Sequence, residues 1–146
     1  MPATHNSIIA LDVGEVRVGV AVANLIARIP RPLVTLQRGA DFMNFLHDVI
    51  EAEQPAAVVV GLPRGMQGQS TAQTEATEAF VQELKSQLQL PIYFQDETLT
   101  SVQAEQELEA SGKTYQKGDV DALAATYILA DFLADPQKIQ QLEQAA

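Results

Sequence analysis

Apolar positions along the chain follow two periods, and the switches between them mark the elements. Ile8-Ile9-Ala10-Leu11 is a short apolar run closed by Asp12-Val13-Gly14; after Glu15-Val16 comes Arg17-Val18-Gly19-Val20-Ala21-Val22-Ala23. Two β-type runs around a glycine-containing turn predict a hairpin. Pro30 and Pro32 bracket the next segment. Leu33-Val34-Thr35-Leu36 then predicts a third strand, with prolines at its start where strands tolerate them. From Asp41 to Glu53 the period changes. Phe42, Phe45, Leu46, Val49 and Ile50 recur at helical spacing, with Asn44, Asp48 and Glu51 on the other side. Asp41 is the expected N-cap and Pro55 the stop. Ala57-Val58-Val59-Val60-Gly61-Leu62 shows no alternation, which predicts a central strand buried on both faces.

Pro63 to Ser70 reads as a loop carrying Gly65 and Gly68. Ser70 with Gln73 predicts a capping box for a long helix whose core stripe is Ala76, Phe80, Leu84 and Leu88. Pro91-Ile92-Tyr93-Phe94-Gln95 is the fifth strand. Thr100 with Gln103 predicts a second capping box, for a helix ending near Gly112. Lys113 to Gly118 reads as a polar loop. Asp119 is then the cap of a last helix on which Val120, Leu123, Ala124, Tyr127, Ile128 and Phe132 keep helical spacing. Residues 1–136 form one domain in this reading. Residues 137–146 are a glutamine-rich tail, a frayed helix or disordered. The order β-β-β-α-β-α-β-α-α makes the first three strands antiparallel and the helix-separated ones parallel. The expected fold class is α/β: a mixed five-stranded sheet flanked by helices.

Composition narrows the chemistry. The chain has 146 residues, the size of one domain, and no cysteine, which excludes disulfides, thiolate metal sites and thiol nucleophiles. Hydrophobic residues at 47% and charged residues at 19% describe a globular protein. No apolar run approaches the ~20 residues that span a membrane. The N-terminus shows no signal peptide, so the expectation is a soluble, cytoplasmic protein. The net charge of −10 argues at first against a polyanionic partner. It is unevenly spread, however. Residues 1–64 hold five arginines against six acids, and residues 65–146 hold four lysines against thirteen. Arg17, Arg28, Arg31, Arg38 and Arg64 could therefore form a local patch.

Three carboxylates occupy special places. Asp12 ends a strand read as buried, where a carboxylate is costly unless paired, hydrogen-bonded or coordinated. Asp96-Glu97 ends the fifth strand, and alternation sends these two acids to opposite faces, so only one joins Asp12. Asp121 sits in the first turn of the last helix. Each has an ordinary explanation alone, as a turn cap, a solvated strand end or a helix-dipole partner. Together they form a possible cluster, because neighbouring parallel strands collect side chains at their carboxyl ends. Converging carboxylates repel unless a cation neutralises them, and oxygen donors without Cys or His favour Mg²⁺ or Mn²⁺. Such a cluster splits phosphodiesters with water as the nucleophile. Around it, Arg17 is either a phosphate contact or a surface ion pair with Glu15. Gly19 frees space for a backbone or a ligand. Arg64 lies in a loop without P-loop spacing. Lys113 and Lys117 flank the loop before Asp121. His5 and His47 suggest no nucleophilic triad.

Asp12-Val13-Gly14 with Arg17-Val18-Gly19-Val20-Ala21, Val60-Gly61-Leu62-Pro63 with Met66 and Gly68, Asp96-Glu97 with Leu99-Thr100, and Val120-Asp121 with Ala124-Ala125 together resemble the successive motifs of the YqgF (RuvX-type) family. The resemblance spans roughly residues 7–134. It implies a ribonuclease H-like fold and a hydrolase, specifically an endonuclease. Asp12, Glu97 and Asp121 would be its catalytic, metal-binding triad, with Mg²⁺ or Mn²⁺; apart from the resemblance, Arg17, Arg64 and Lys117 are the residues whose type and place suggest contacts with substrate phosphates. The family is assigned both to maturation of the 5′ end of precursor 16S ribosomal RNA and to Holliday-junction resolution. The implied partner is thus structured RNA or branched DNA, with the ribosomal precursor particle a further candidate. The protein would act as a monomer or a homodimer. Two departures stand out: Thr98 where the family usually has arginine, and Asn24 where it often has an acid. They keep a third reading open, a non-catalytic factor associated with nucleic acid or the ribosome.

Overall fold

The computed structural model describes residues 6–97, 100–112 and 114–145, the side chains of 100–103 and 145 excepted. The elements are β1 (Ser7–Val13), β2 (Arg17–Asn24), β3 (Arg31–Gln37), α1 (Phe42–Glu53), β4 (Pro55–Pro63), α2 (Ala72–Gln87), β5 (Ile92–Glu97), α3 (Thr100–Ala110), α4 (Lys117–Leu133) and α5 (Pro136–Ala145). The sheet order is β3-β2-β1-β4-β5. β1 pairs antiparallel with β2, and β2 with β3; β1–β4 and β4–β5 are parallel, as expected from the connections.

Alternation along the central strands builds two cores. Ile9 and Leu11 of β1, Val18, Val20 and Val22 of β2 and Val58 and Val60 of β4 face α1 and α2. There Phe42 meets Phe80 edge-on, with ring centroids 5.6 Å apart. Ile8, Ala10, Ala21, Ala23, Ala57 and Val59 face α4 and α5. Both faces of these strands are covered, so their sequences read as unbroken apolar runs. α3 packs on α4 through Ala104, with Val120 and Ala124.

Three helix starts and core positions in α1 and α2 depart from expectation. Asp41 holds the N-cap position of α1 but makes no side-chain cap bond. α2 is capped by Thr71 with Thr74, one residue later than the expected Ser70 and Gln73. Its buried stripe accordingly runs through Thr74, Thr77, Phe80, Val81 and Leu84, and Ala76 is exposed. Thr74 can serve here because its hydroxyl is satisfied by the carbonyl of Pro63. α4 begins at Lys117, and Asp119 is the N3 partner of a Gln116 capping box. Lys117 and Gly118 are therefore helical, and Asp121 lies past the first turn. Phe45 of α1, expected in the core stripe, is 47% exposed.

The stretch after Pro136, expected as a frayed helix or a disordered tail, is a helix, α5, and it is packed on the core. The Asp135 carboxylate accepts from the amide of Gln137 at 2.9 Å. Pro136 occupies the first helical position, where its missing N–H costs nothing. Ile139 and Leu142, three residues apart, bury themselves in the α4-facing core. Thr98, Lys113, His5 and the Thr100–Gln103 cap lie outside the described residues or side chains. Among the described residues, no helix is long and apolar enough to cross a membrane.

Candidate active site

Two glycines let α4 lie directly on the sheet. A Cβ on Gly19 would stand 2.0 Å from the carbonyl oxygen of Asp121, and one on Gly61 would stand 2.3 Å from the Ile128 side chain. Close backbone approach is a main reason for glycine within a strand. Further along, the Thr35 hydroxyl of β3 donates to the carbonyl of Gly118 at 2.6 Å. At the other end Tyr93 of β5 meets Phe132, with centroids 5.9 Å apart. α4 thus crosses the whole sheet, from β3 to β5, on the face that carries Asp12.

The strand register places the acids. Asp12 pairs with Gly19 across β1–β2, and the backbone of Asp121 rests on that same glycine. Asp12 and Asp121 are therefore neighbours because of one missing side chain. Burial, and next the charge of Asp121, push the Asp12 carboxyl up to about 7. Asp96 and Glu97 part company as alternation requires. Asp96 is exposed and pairs with Arg64 at 3.3 Å. Glu97, with Gln95, is on the α4 side and is coupled to Asp131 of α4.

Glu97 is the most perturbed acid. Burial is the largest cause, followed by a side-chain hydrogen bond and the charge of Asp131; Lys138 opposes them, Asp12 adds a little, and the carboxyl rises to about 9. Its Oε1 is buried with no hydrogen-bond partner. Lys138 reaches this corner from α5, donating to the side-chain oxygen of Gln95 and lying 5.6 Å from the Phe132 ring centroid. The acids thus stand as two pairs on one face. Asp12–Asp121 has Arg17 beside it, and Glu97–Asp131 has Lys138. The sequence reading missed Asp131 and Lys138. A signal existed for the first, a lone acid in the apolar run Tyr127 to Leu133. Lys138 was hidden in the supposed tail.

The cations stand differently from expectation. Nε of Arg17 donates to Oδ2 of Asp121 at 2.7 Å. The expected Glu15 partner is not used. Nε of Arg64 bonds Asp96, its Nη1 donates 2.8 Å to the Ser70 hydroxyl, and its backbone amide donates 3.0 Å to the carbonyl of Glu97. Lys117 is exposed at the start of α4, one turn before Asp121. The donor set of carboxylate oxygens suits a hard divalent cation. The unpartnered Glu97 Oε1 and the buried Asp12 carboxyl beside Asp121 are what such an ion would relieve. Among the described residues, however, no three acids or histidines are assembled closely enough to hold one. Asp121 is tied to Arg17 and Glu97 to Asp131, so both must change partner to meet on Asp12.

Comparisons with known proteins bear on the family and the fold. Residues 6–135 match the family model described as RuvX, Holliday junction resolvase. A relative from Chloroflexus aurantiacus, named "Putative pre-16S rRNA nuclease", is 37% identical over 95% of this chain and 96% of its own. A protein of the same name from Chromobacterium violaceum is 39% identical over 87% of this chain and 96% of its own. Among solved structures, Thermus thermophilus RuvC in complex with a Holliday junction substrate superposes with a TM-score of 0.51 and 18% identity, covering 85% of this chain and 92% of that one. At that identity the likeness speaks for the fold, which is ribonuclease H-like.

Proposed function

The chain belongs to the RuvX family of Holliday junction resolvases, and from that premise we propose that it is a metal-dependent endonuclease that trims the 5′ end of precursor 16S ribosomal RNA. The observation that carries the chemistry is the apposition of Asp12 and Asp121 over Gly19. Nothing in folding requires two carboxylates at that point, and the charge of Asp121 raises the cost of ionising Asp12. The relatives' names carry the choice of RNA.

Asp12, Glu97 and Asp121 would hold Mg²⁺ or Mn²⁺. Bound there, the ion supplies charge neutralisation at the phosphate and an acidified water at neutral pH. The protein's own groups do the rest. Asp12 is fixed by the β1–β2 ladder, so the site is built on rigid strand rather than loop. Arg17, Arg64 and Lys117 contact phosphates flanking the bond to be cut. Arg64 is held in place by Asp96 and Ser70 at the mouth of the β4 loop. Asp12 gives up its proton on the cation's arrival, since its carboxyl otherwise holds that proton up to about pH 7.

The family description favours a second reading, resolution of four-way DNA junctions. That activity needs two active sites in twofold opposition and hence a dimer. The reading proposed here allows a monomer acting in the cytoplasm on the ribosomal precursor particle. Offering the protein a 5′-extended 16S precursor and a four-way DNA junction at equal, stated salt, with Mn²⁺, separates the two. The expected result is cleavage of the precursor near the mature 5′ end. Paired, symmetric nicks in the junction with an intact precursor would transfer the assignment to DNA.

A further inference from the structure

Among the described residues, Arg17 is the one cation joined directly to a carboxylate of the Asp12–Glu97–Asp121 set. Its bond uses only Nε, and among the described residues its two terminal nitrogens have no hydrogen-bond partner. Both side chains are partly open to solvent, 28% for Arg17 and 19% for Asp121. A guanidinium bound through one edge, with two further nitrogens unused, suits bidentate capture of a phosphate. Arg64 makes a contrast. It is engaged through Nε and Nη1, and its acid, Asp96, is on the opposite face from Asp12. The backbones beneath Arg17 and Asp121 are locked together. Arg17 begins β2 two residues before Gly19, and Asp121 rests on Gly19. Separating the pair therefore needs only a side-chain rotation.

We propose that Arg17 is an exchangeable counter-ion: in the metal-free protein it neutralises Asp121, and when Asp121 is given over to a divalent cation the freed guanidinium takes a backbone phosphate of the nucleic acid. This rests on the reading of Asp12, Glu97 and Asp121 as the cation site. Two consequences follow by linkage. Arg17 competes with the cation when no nucleic acid is present. Phosphate that draws Arg17 away bares Asp121, so cation and nucleic acid strengthen each other's binding through this residue.

The opposite view, Arg17 as a fixed brace that organises Asp121 for the metal, predicts the reverse sign, and this makes the test decisive. Mn²⁺ binding is followed by electron paramagnetic resonance of the free ion for wild type, Arg17→Gln and Arg17→Lys, without nucleic acid and after circular dichroism has verified folding. The exchange predicts that Arg17→Gln binds Mn²⁺ about two- to fivefold more tightly than wild type, the factor that removing a partly exposed ion pair of about 0.4–1 kcal/mol gives. Arg17→Lys, which keeps the charge, stays near wild type. Anisotropy of a labelled RNA stem with a 5′ extension, with and without Ca²⁺, reads the second consequence. The enhancement by Ca²⁺ seen with wild type should shrink in Arg17→Gln. Equal or weaker Mn²⁺ binding by Arg17→Gln, beside a wild type that binds Mn²⁺, overturns the exchange and leaves the nuclease reading standing. A wild type that binds no Mn²⁺ overturns both.

Discussion

At the scale of single residues, Asp12 and Glu97 hold protons that ordinary carboxyls would have lost, and this sets a pH dependence. Their carboxyls, pushed up to about 7 and about 9, lie above the ordinary values of 3.8 and 4.5. The native state therefore binds more protons than the unfolded chain between roughly pH 4 and 9, and stability falls as pH rises through that window. Thermal melts of the metal-free protein should show a higher Tm at pH 5 than at pH 8. Asp12→Asn should be more stable than wild type at pH 8, by about 1–3 kcal/mol, and should lose part of the pH dependence. Adding Mg²⁺ or Mn²⁺ at pH 8 should stabilise wild type more than the variant. A Tm independent of pH would deny the burial of these acids. The sequence made Asp12, Glu97 and Asp121 legible as candidates because alternation and strand ends are local properties. It could not show which cation or acid each would meet. Arg17 and Asp121 are 104 residues apart, and their contact exists only because α4 crosses β2.

At the scale of elements, α4 is the part that assembles the site, and its two glycine contacts differ in kind. Gly19→Ala would put a methyl against the carbonyl of Asp121, and backbone cannot step aside. Gly61→Ala would meet the far end of the Ile128 side chain, which can turn. Urea denaturation should find Gly19→Ala destabilised by about 3 kcal/mol or more and Gly61→Ala by roughly 1–2. Gly19→Ala should also lose activity, since Asp121 is lifted from Asp12. Equal effects would mean that α4 is not seated on Gly19. α5 gives a second test. Ending the chain after Asp135 removes Ile139 and Leu142 from the core and Lys138 from Gln95. Two such side chains are worth about 3–5 kcal/mol, so the shortened protein should have a clearly lower denaturation midpoint. Strand number, pairing sense and four of the five helices were readable because the apolar period switches cleanly. α5 was not, since Ile139 and Leu142 are sparse apolar positions among glutamines. Their role depends on a core surface formed by residues far back in the chain, Ile8 and Ala57 among them.

At the scale of the whole molecule, a net charge of −10 and a nucleic-acid substrate are compatible only if charge is spatially sorted. Three of the acids are assigned to a cation, and Arg17 and Arg64 stand near the strand ends where substrate would lie. Few phosphate contacts imply weak binding that falls with salt, on a slope of roughly −0.7 per contact for single strands. The central claim is that the Asp12 carboxylate organises cation-dependent hydrolysis. The most direct measurement compares wild type and Asp12→Asn on a 5′-extended 16S precursor, with Mn²⁺ and with chelator. The account predicts that wild type cuts only with the metal and that Asp12→Asn, though folded and at least as stable, cuts no faster than background. An Asp12→Asn protein that cuts at the wild-type rate, or a wild type that cuts equally well in chelator, would contradict it.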